Sequence, residues 1–302
     1  MRVVELKNVS ASIQARLKNR ARDTGEELQT LLTRFALERL LYRLSVSKHR
    51  ESFVLKGAFL FLAWEESVER PTKDLDLLAA GEPDIKWLEQ IFKELCELEV
   101  ESDGMVFPPG TVSGQMIREQ AAYDGIRVNL EAHLGRARVR LQIDIGFGDA
   151  VVPDPMDIDF PVLLDLPKPR LKGYRPETVV AEKCEAMVTL GLANSRLKDF
   201  YDLWRLASIF DFEGAILSLA IRAVFQRRQT AIPEGIPAGL TDAYSDQWGA
   251  QWLGVMSRFG IYDPPSLMEA IDLLRRFLLP VFESIAVGEE LEHTWTPSGG
   301  WR

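Results

Sequence analysis

Two stretches of alternating residues, Gly125–Ala132 and Arg138–Ile145, constrain the fold of this chain more than any other feature. In each stretch apolar and polar residues alternate, which places the apolar side chains on one face of an extended strand and the polar ones on the other. The connection between them is short and contains Gly135, a residue suited to a tight turn. The two stretches therefore predict a β-hairpin.

Helical and extended segments alternate upstream of this hairpin. Apolar residues recur at helical spacing over Ser12–Ser47 and are interrupted at Asp23–Gly25, which predicts two helices. Four segments follow in the order strand, helix, strand, helix, and the first of them ends in glycine: Phe53–Gly57, Ala58–Glu66, Asp74–Leu78 and Asp84–Val100. The stretch Gly104–Gly114 holds two prolines and predicts a loop.

The part of the chain beyond the hairpin has a different character. Prolines crowd the stretch from Pro153 to Pro169, which we interpret as the connection out of the sheet. The remainder is mainly helical, because Pro176 stands where a first-turn proline belongs and helical spacing recurs over Leu197–Phe210 and Pro265–Ile285. The pattern predicts an α+β protein whose C-terminal part is helical.

Length and composition indicate a folded chain of two domains. The chain has 302 residues, of which 46% are hydrophobic and 27% charged, and domains commonly span about 100 to 200 residues. We place an N-terminal domain with the sheet at residues 1–165 and a helical C-terminal domain at residues 166–302.

The net charge argues against a protein that coats DNA. It is −9, with an isoelectric point of about 5.1, whereas nucleic-acid-binding domains are commonly basic. A local basic run remains at Lys168–Arg175, where four cations and one tyrosine occupy eight positions. Two interpretations of this run stay open: a solvated linker, or a strip that contacts phosphates.

The sequence also limits location and metal chemistry. No segment approaches the roughly 20 apolar residues of a membrane span, and the N-terminal segment lacks the apolar run of a signal peptide, so we expect a cytoplasmic protein with no membrane partner. The two cysteines, Cys96 and Cys184, fall in helical patterns and predict buried thiols. The three histidines are scattered, so any metal ion is expected to be held by carboxylates rather than by a zinc motif.

Two carboxylates two residues apart are the clearest sign of chemistry. Asp74 and Asp76 lie in an apolar strand and project from one face, while Leu75 and Leu77 point to the other. Two adjacent anions repel, and a magnesium ion that takes one or two carboxylates plus substrate phosphates would relieve that repulsion. A salt-bridged strand edge is the alternative explanation.

The surroundings of the two aspartates favour the metal site. Gly57 lies between an apolar strand and a helix, where backbone N–H groups can bind a phosphate. Asp144 adds a third carboxylate in an apolar strand, and such a residue is costly unless it is paired or bound to metal. Three strand carboxylates and a glycine turn are typical of two-metal catalysis at phosphorus.

The order Gly57, Asp74, Asp76, Asp144 resembles the signature of the DNA polymerase β-type nucleotidyltransferase superfamily. More narrowly, four motifs resemble those of the AbiEii/AbiGii toxin family, which includes the MenT toxins. They are LKGA at Leu55–Ala58, RPTKDLDL at Arg70–Leu77, PETVVAEK at Pro176–Lys183 and RLKDFYDL at Arg196–Leu203. One departure is Ala58, which stands where the family usually has Gly or Ser. A hydroxyl contact to phosphate is thus lost, whereas the backbone N–H is kept.

The resemblance implies a polymerase β-like core, a mixed sheet with helices, followed by a mainly helical C-terminal domain. It implies that Asp74 and Asp76 hold Mg²⁺ or Mn²⁺ ions bridging a nucleotide triphosphate, and that Asp144 is a third ligand or the general base. Lys183 and Asp199 would be contributed to the site by the C-terminal domain, with Asp199 orienting Lys183 or activating the acceptor. We regard Asp202 as structural.

Residues expected to contact the nucleotide are Lys56, Gly57, Ala58, Arg70 and Thr72. Two of them have a second interpretation. Arg70 could instead pair with Glu66 or Glu69, and Thr72 could instead shape its turn.

By resemblance the protein is the toxin of a two-gene, type IV (AbiE-like) toxin-antitoxin or abortive-infection system, with a cognate antitoxin encoded nearby. It would transfer a nucleotide from an NTP to an acceptor hydroxyl, the tRNA 3′ end, and so block translation. Two alternatives stay open: a nucleotidyltransferase that modifies a small molecule or a protein hydroxyl, and a non-catalytic nucleotide-binding interaction protein, to which Ala58 is the pointer.

Overall fold

The computed structural model describes residues 2–64, 74–120 and 123–302. The chain divides into two compact units. The first unit comprises Met1–Gly148 and Met156–Gly173, and the second comprises Asp149–Pro155 and Tyr174–Arg302. The unit boundary falls after Gly173 rather than after residue 165, because residues 156–159 and 170–173 form strands that pair with the sheet of the first unit.

The described strands of the first unit form one mixed sheet, in the order β3-β5-β6-β2-β1-β8-β7, with β4 paired to β5. The pairs β2–β6 and β1–β8 are parallel, and the remaining pairs are antiparallel. The strands are β1 (Phe53–Lys56), β2 (Asp74–Ala79), β3 (Met105–Val106), β4 (Ser113–Gln120), β5 (Tyr123–Leu134), β6 (Ala137–Phe147), β7 (Met156–Asp159) and β8 (Arg170–Gly173).

One face of this sheet is covered by helices. The described helices of the first unit are α1 (Arg2–Thr24), α2 (Leu28–Val46), α3 (Phe59–Trp64) and α4 (Ile85–Glu97). Helix α2 packs on β6, and α4 packs on β4 and β5. The β6 residues that face these helices, Val139, Leu141, Ile143 and Ile145, are each at most 2% exposed, so the alternation seen in the sequence separates a core face from a polar face.

The second unit is mainly helical. Its described elements are α5 (Pro176–Leu190), α6 (Leu197–Ile209), α7 (Gly214–Arg228), α8 (Asp242–Arg258), α9 (Leu267–Val287) and a small antiparallel sheet of β9 (Phe212–Glu213), β10 (Thr294–Thr296) and β11 (Gly300–Trp301). Pro176 occupies the first turn of α5 as expected. None of the described helices is long and apolar enough to cross a membrane.

The predicted fold class, an α+β core with a mixed sheet followed by a helical C-terminal part, is confirmed. The prediction that the proline-rich stretch leaves the sheet was wrong, since β7 and β8 rejoin it. The basic run at Lys168–Arg175 is therefore no linker: Arg170 pairs with Asp159 at 2.7 Å and Lys172 with Asp157 at 3.1 Å. These two cations are neutralised by the adjacent strand.

Candidate active site

Four charged residues form a row across the polar face of the central strands, which we call the charged row: Lys56 on β1, Asp76 on β2, Asp144 on β6 and Arg127 on β5. Each is the direct register partner of the next, and directly opposed residues of neighbouring strands project from the same face. The chain neighbours of Asp76 and Asp144 are buried in the core on the other face. Two carboxylates are thus flanked by one cation on either side.

Arg127 holds Asp144 through both of its oxygens. Its Nε donates to Asp144 Oδ1 at 2.7 Å and its Nη2 donates to Oδ2 at 2.8 Å. With its amide carbonyl turned toward the guanidinium, Gln142 accepts a further hydrogen bond at 3.0 Å. The hydrogen bonds to Asp144, supported by the charges of Asp74 and Asp76, raise the pKa of Arg127.

Sequence reasoning missed Arg127, although a signal for it was present. A two-residue turn at Gly135–Arg136 joins β5 to β6, and that turn fixes Arg127 opposite Asp144. Counting outward from Gly135 would have placed an arginine beside the third carboxylate.

Gly57 lies against the carboxylate of Asp76. Its φ is +72°, a backbone conformation that glycine adopts without strain, and a Cβ at this position would come within 2.6 Å of Asp76 Cγ. The turn formed by Gly57 and Ala58 continues into α3 through a hydrogen bond from Phe61 N to Ala58 O. Glycine is required here because the Asp76 carboxylate occupies the space that a side chain at position 57 would fill.

Asp74 and Lys56 complete the polar face beside Asp76. Asp74 opens β2, is exposed and lies opposite Gln142. Lys56 is 7% exposed and lies opposite Asp76. A buried lysine ammonium needs a nearby anion to offset its desolvation. Lys56 adds its positive charge to the charged row at the end of β1.

The carboxylate oxygens on the polar face of the sheet are the kind of ligand that a hard cation such as magnesium prefers. Within residues 2–64, 74–120 and 123–302, no group of three or more His, Cys, Asp or Glu residues is placed to hold a metal ion, and Arg127 occupies both oxygens of Asp144. Asp74 and Asp76 carry carboxylate oxygens on the same sheet face, where Asp74 is exposed and Asp76 is half-buried. Magnesium is typically bound by one or two carboxylates with waters and substrate phosphates, so these residues fit it. Arg70 and Thr72 lie outside the described residues.

The second unit holds a cluster of charged residues around Lys183. The Nζ of Lys183, on α5, lies 2.6 Å from Asp199 Oδ1 and 2.9 Å from Asp202 Oδ2, both on α6. Asp199 is 8% exposed and Asp202 is 3% exposed. Sequence reasoning paired Lys183 with Asp199; the structure adds Asp202 to the same ammonium group.

The family model described as nucleotidyl transferase AbiEii toxin, type IV TA system, matches residues 39–283, which is most of the chain. This protein belongs to the AbiEii family. The AbiEii assignment confirms the predicted family and makes the protein a nucleotidyltransferase of the type IV toxin class. It does not test the roles of single residues, which stay predictions.

Comparison with solved structures finds two from Helicobacter pylori that are similar to this AbiEii protein. One is described as a candidate nucleotidyltransferase and the other as JHP933. Each is 14% identical to this chain, covers 87% of it and is itself covered to 99%, with TM-scores of 0.48 and 0.42 respectively. No curated protein matches the chain. The family assignment therefore rests on the AbiEii match alone.

Proposed function

We propose that this AbiEii-family protein is a metal-dependent nucleotidyltransferase that adds a nucleotide from an NTP to the 3′ end of tRNA and so blocks translation. The observation that carries the proposal is the charged row, in which Asp76 and Asp144 lie side by side between Lys56 and Arg127. Nucleotidyl transfer depends mainly on positioning and on neutralising phosphate charge, and this row supplies carboxylates and cations on one face of the sheet.

In this proposal Asp74 and Asp76 would hold Mg²⁺ or Mn²⁺ ions, which would supply positive charge to the triphosphate. Lys56 and the Gly57–Ala58 turn contact the nucleotide phosphates. Arg70 and Thr72 are proposed to do the same on the strength of the motif alone.

The bond that forms joins the acceptor hydroxyl oxygen to the α-phosphorus of the NTP, and the bond that breaks releases pyrophosphate. Asp144 accepts the proton of that hydroxyl in its role as general base, or serves as a third metal ligand. The Arg127 hydrogen bonds orient the Asp144 carboxylate. Lys183 contributes positive charge toward the phosphates and Asp199 orients it, as the family resemblance implies.

The proposal also implies a protein partner and a cellular location. A type IV toxin implies a cognate antitoxin, which we expect to be encoded nearby, and a role in abortive infection. A tRNA acceptor places the reaction in the cytoplasm.

Incubating the protein with α-labelled nucleotide triphosphates, Mg²⁺ and a total cell extract tests the proposal, if RNA, protein and small molecules are then separated. We expect label in the tRNA fraction, at its 3′ end, lost on chelation and regained with Mg²⁺. Label confined to protein or small molecules would contradict the tRNA acceptor and favour the other hydroxyl acceptors. Absence of label in all three fractions, with nucleotide still bound, would contradict catalysis.

A further inference from the structure

A second set of polar residues extends along β6 from the charged row to the hairpin turn. Arg138, Arg140, Gln142 and Asp144 alternate with buried residues and therefore project from the same face of the sheet. Arg138 and Arg140 are exposed. We call these two residues, with the exposed Arg136 of the turn, the arginine strip.

Positive charge dominates this strip. Within the described part of the chain, neither Arg138 nor Arg140 forms an ion pair. The carboxylate beside them is Glu131, which faces Arg140 across the hairpin and takes a hydrogen bond from His133 at 3.1 Å. That hydrogen bond, together with the charges of His133, Arg138 and Arg140, lowers the pKa of Glu131. The strip thus holds three guanidinium groups against one carboxylate.

The arginine strip differs in its ion pairing from the basic run at Lys168–Arg175. Arg170 and Lys172 each face an aspartate of β7 in register and form ion pairs with it. On β6 the corresponding partners are His133 opposite Arg138 and Glu131 opposite Arg140, and Glu131 is already engaged by His133. The guanidinium groups of the arginine strip thus keep donors directed to solvent.

We propose that the arginine strip binds the phosphates of a single-stranded RNA 3′ end and directs it to Asp144. Arg138, Arg140 and Asp144 share one face of the sheet, and Asp144 lies about 20 Å from Arg138 along the strand at ~3.3 Å per residue. Guanidinium groups bind phosphates through paired hydrogen bonds. A local strip of this kind gives a protein of net charge −9 a surface for a polyanion.

The inference rests on the proposed function, since it names where that acceptor binds. The proposed ligand is an extended single-stranded RNA because β6 presents its outward side chains in a straight line at every second residue. An extended RNA strand, with phosphates along its length, matches that line of side chains.

The test compares two double variants of equal charge change. Arg138→Gln with Arg140→Gln removes two of the three charges of the arginine strip at exposed positions, so the core is untouched. Lys86→Gln with Lys93→Gln neutralises two lysines on α4, which packs against the opposite face, as the approach of Ile85 to Gly114 shows. Equilibrium binding of fluorescein-labelled total tRNA is measured for both variants and the wild type from low to high salt.

We expect the strip variant to bind tRNA more weakly and the slope of log affinity against log salt to fall by about 1.4, which is two contacts at about 0.7 each for single strands. Its affinity for NTP should equal that of the wild type, and the α4 variant should bind tRNA as the wild type does. Equal weakening in both double variants would show a net-charge effect and overturn the inference.

The two proposals fail in different ways. If the wild type labels tRNA and the strip variant binds tRNA with unchanged affinity and slope, the arginine strip is overturned while the proposed function stands. If the wild type neither binds nor labels tRNA and labels protein or small molecules instead, the tRNA acceptor is overturned, and the strip with it.

Discussion

Arg127 on β5 and Asp144 on β6 face each other in register and share two hydrogen bonds, at 2.7 and 2.8 Å. This pair places a guanidinium group beside the carboxylates that the family resemblance assigns to metal binding and catalysis. Any cation that binds Asp144 must compete with Arg127 for the same oxygens. Arg127 is therefore expected to control both metal affinity and the orientation of Asp144.

Replacing Arg127 separates these two effects. Arg127→Gln removes a positive charge near Asp74, Asp76 and Asp144, so Mn²⁺ should bind several-fold more tightly, while turnover should fall because Asp144 loses its orienting partner. Arg127→Lys keeps the charge but loses the paired geometry, so it should lower turnover with little change in Mn²⁺ affinity. Electron paramagnetic resonance of free Mn²⁺ measures the binding. Weaker Mn²⁺ binding in the Gln variant would contradict this account.

The Gly57–Asp76 contact makes a second prediction. Gly57→Ala should displace the Asp76 carboxylate, because the added Cβ would lie 2.6 Å from its Cγ, and should abolish metal-dependent transfer. Gly25→Ala is the control: its φ is +75°, against +72° at Gly57, and a Cβ there meets nothing within 4 Å.

The left-handed backbone should cost each alanine variant about 1–2 kcal/mol of unfolding free energy, and Gly57→Ala should lose more because of its clash with Asp76; urea denaturation measures both. Only Gly57→Ala should lose activity. An active Gly57→Ala variant would show that the close approach of backbone and carboxylate is dispensable.

Asp199 and Asp202 offer a matched pair of substitutions around one ammonium group. Each lies within 3 Å of Lys183 Nζ and each is buried, so Asp199→Asn and Asp202→Asn should each destabilise the protein by about 1–3 kcal/mol. If Asp199 alone belongs to the active site, only its variant should lower kcat. Steady-state kinetics of both variants at a temperature where both are folded measures this, and an equal fall in kcat would refute the separate role of Asp199.

The features that could be predicted from the sequence are those set by local pattern. The β5–β6 hairpin follows from alternation around Gly135, and the shared face of Asp74 and Asp76 follows from their spacing in β2. Helix α5 begins at Pro176 because proline suits a first helical turn. Each of these depends on residues a few positions apart.

The features that were missed depend on pairing between distant segments. The prolines between β7 and β8 were interpreted as a connection out of the sheet, but whether the chain leaves a sheet or returns to it is decided by packing. Arg127 was overlooked because its role depends on register with Asp144. The need for glycine at position 57 comes from Asp76 on the next strand, which no local pattern encodes.

The central claim is that Asp76 is essential for metal-dependent nucleotidyl transfer. Its most direct test is the transfer of label from α-labelled NTP in the presence of Mg²⁺ by the wild type, by Asp76→Asn and by Asp246→Asn, which makes the same charge change at an exposed position of α8. The account predicts that the wild type and Asp246→Asn transfer label at similar rates, and that Asp76→Asn transfers none above background while remaining folded. Transfer by Asp76→Asn at the wild-type rate would contradict it.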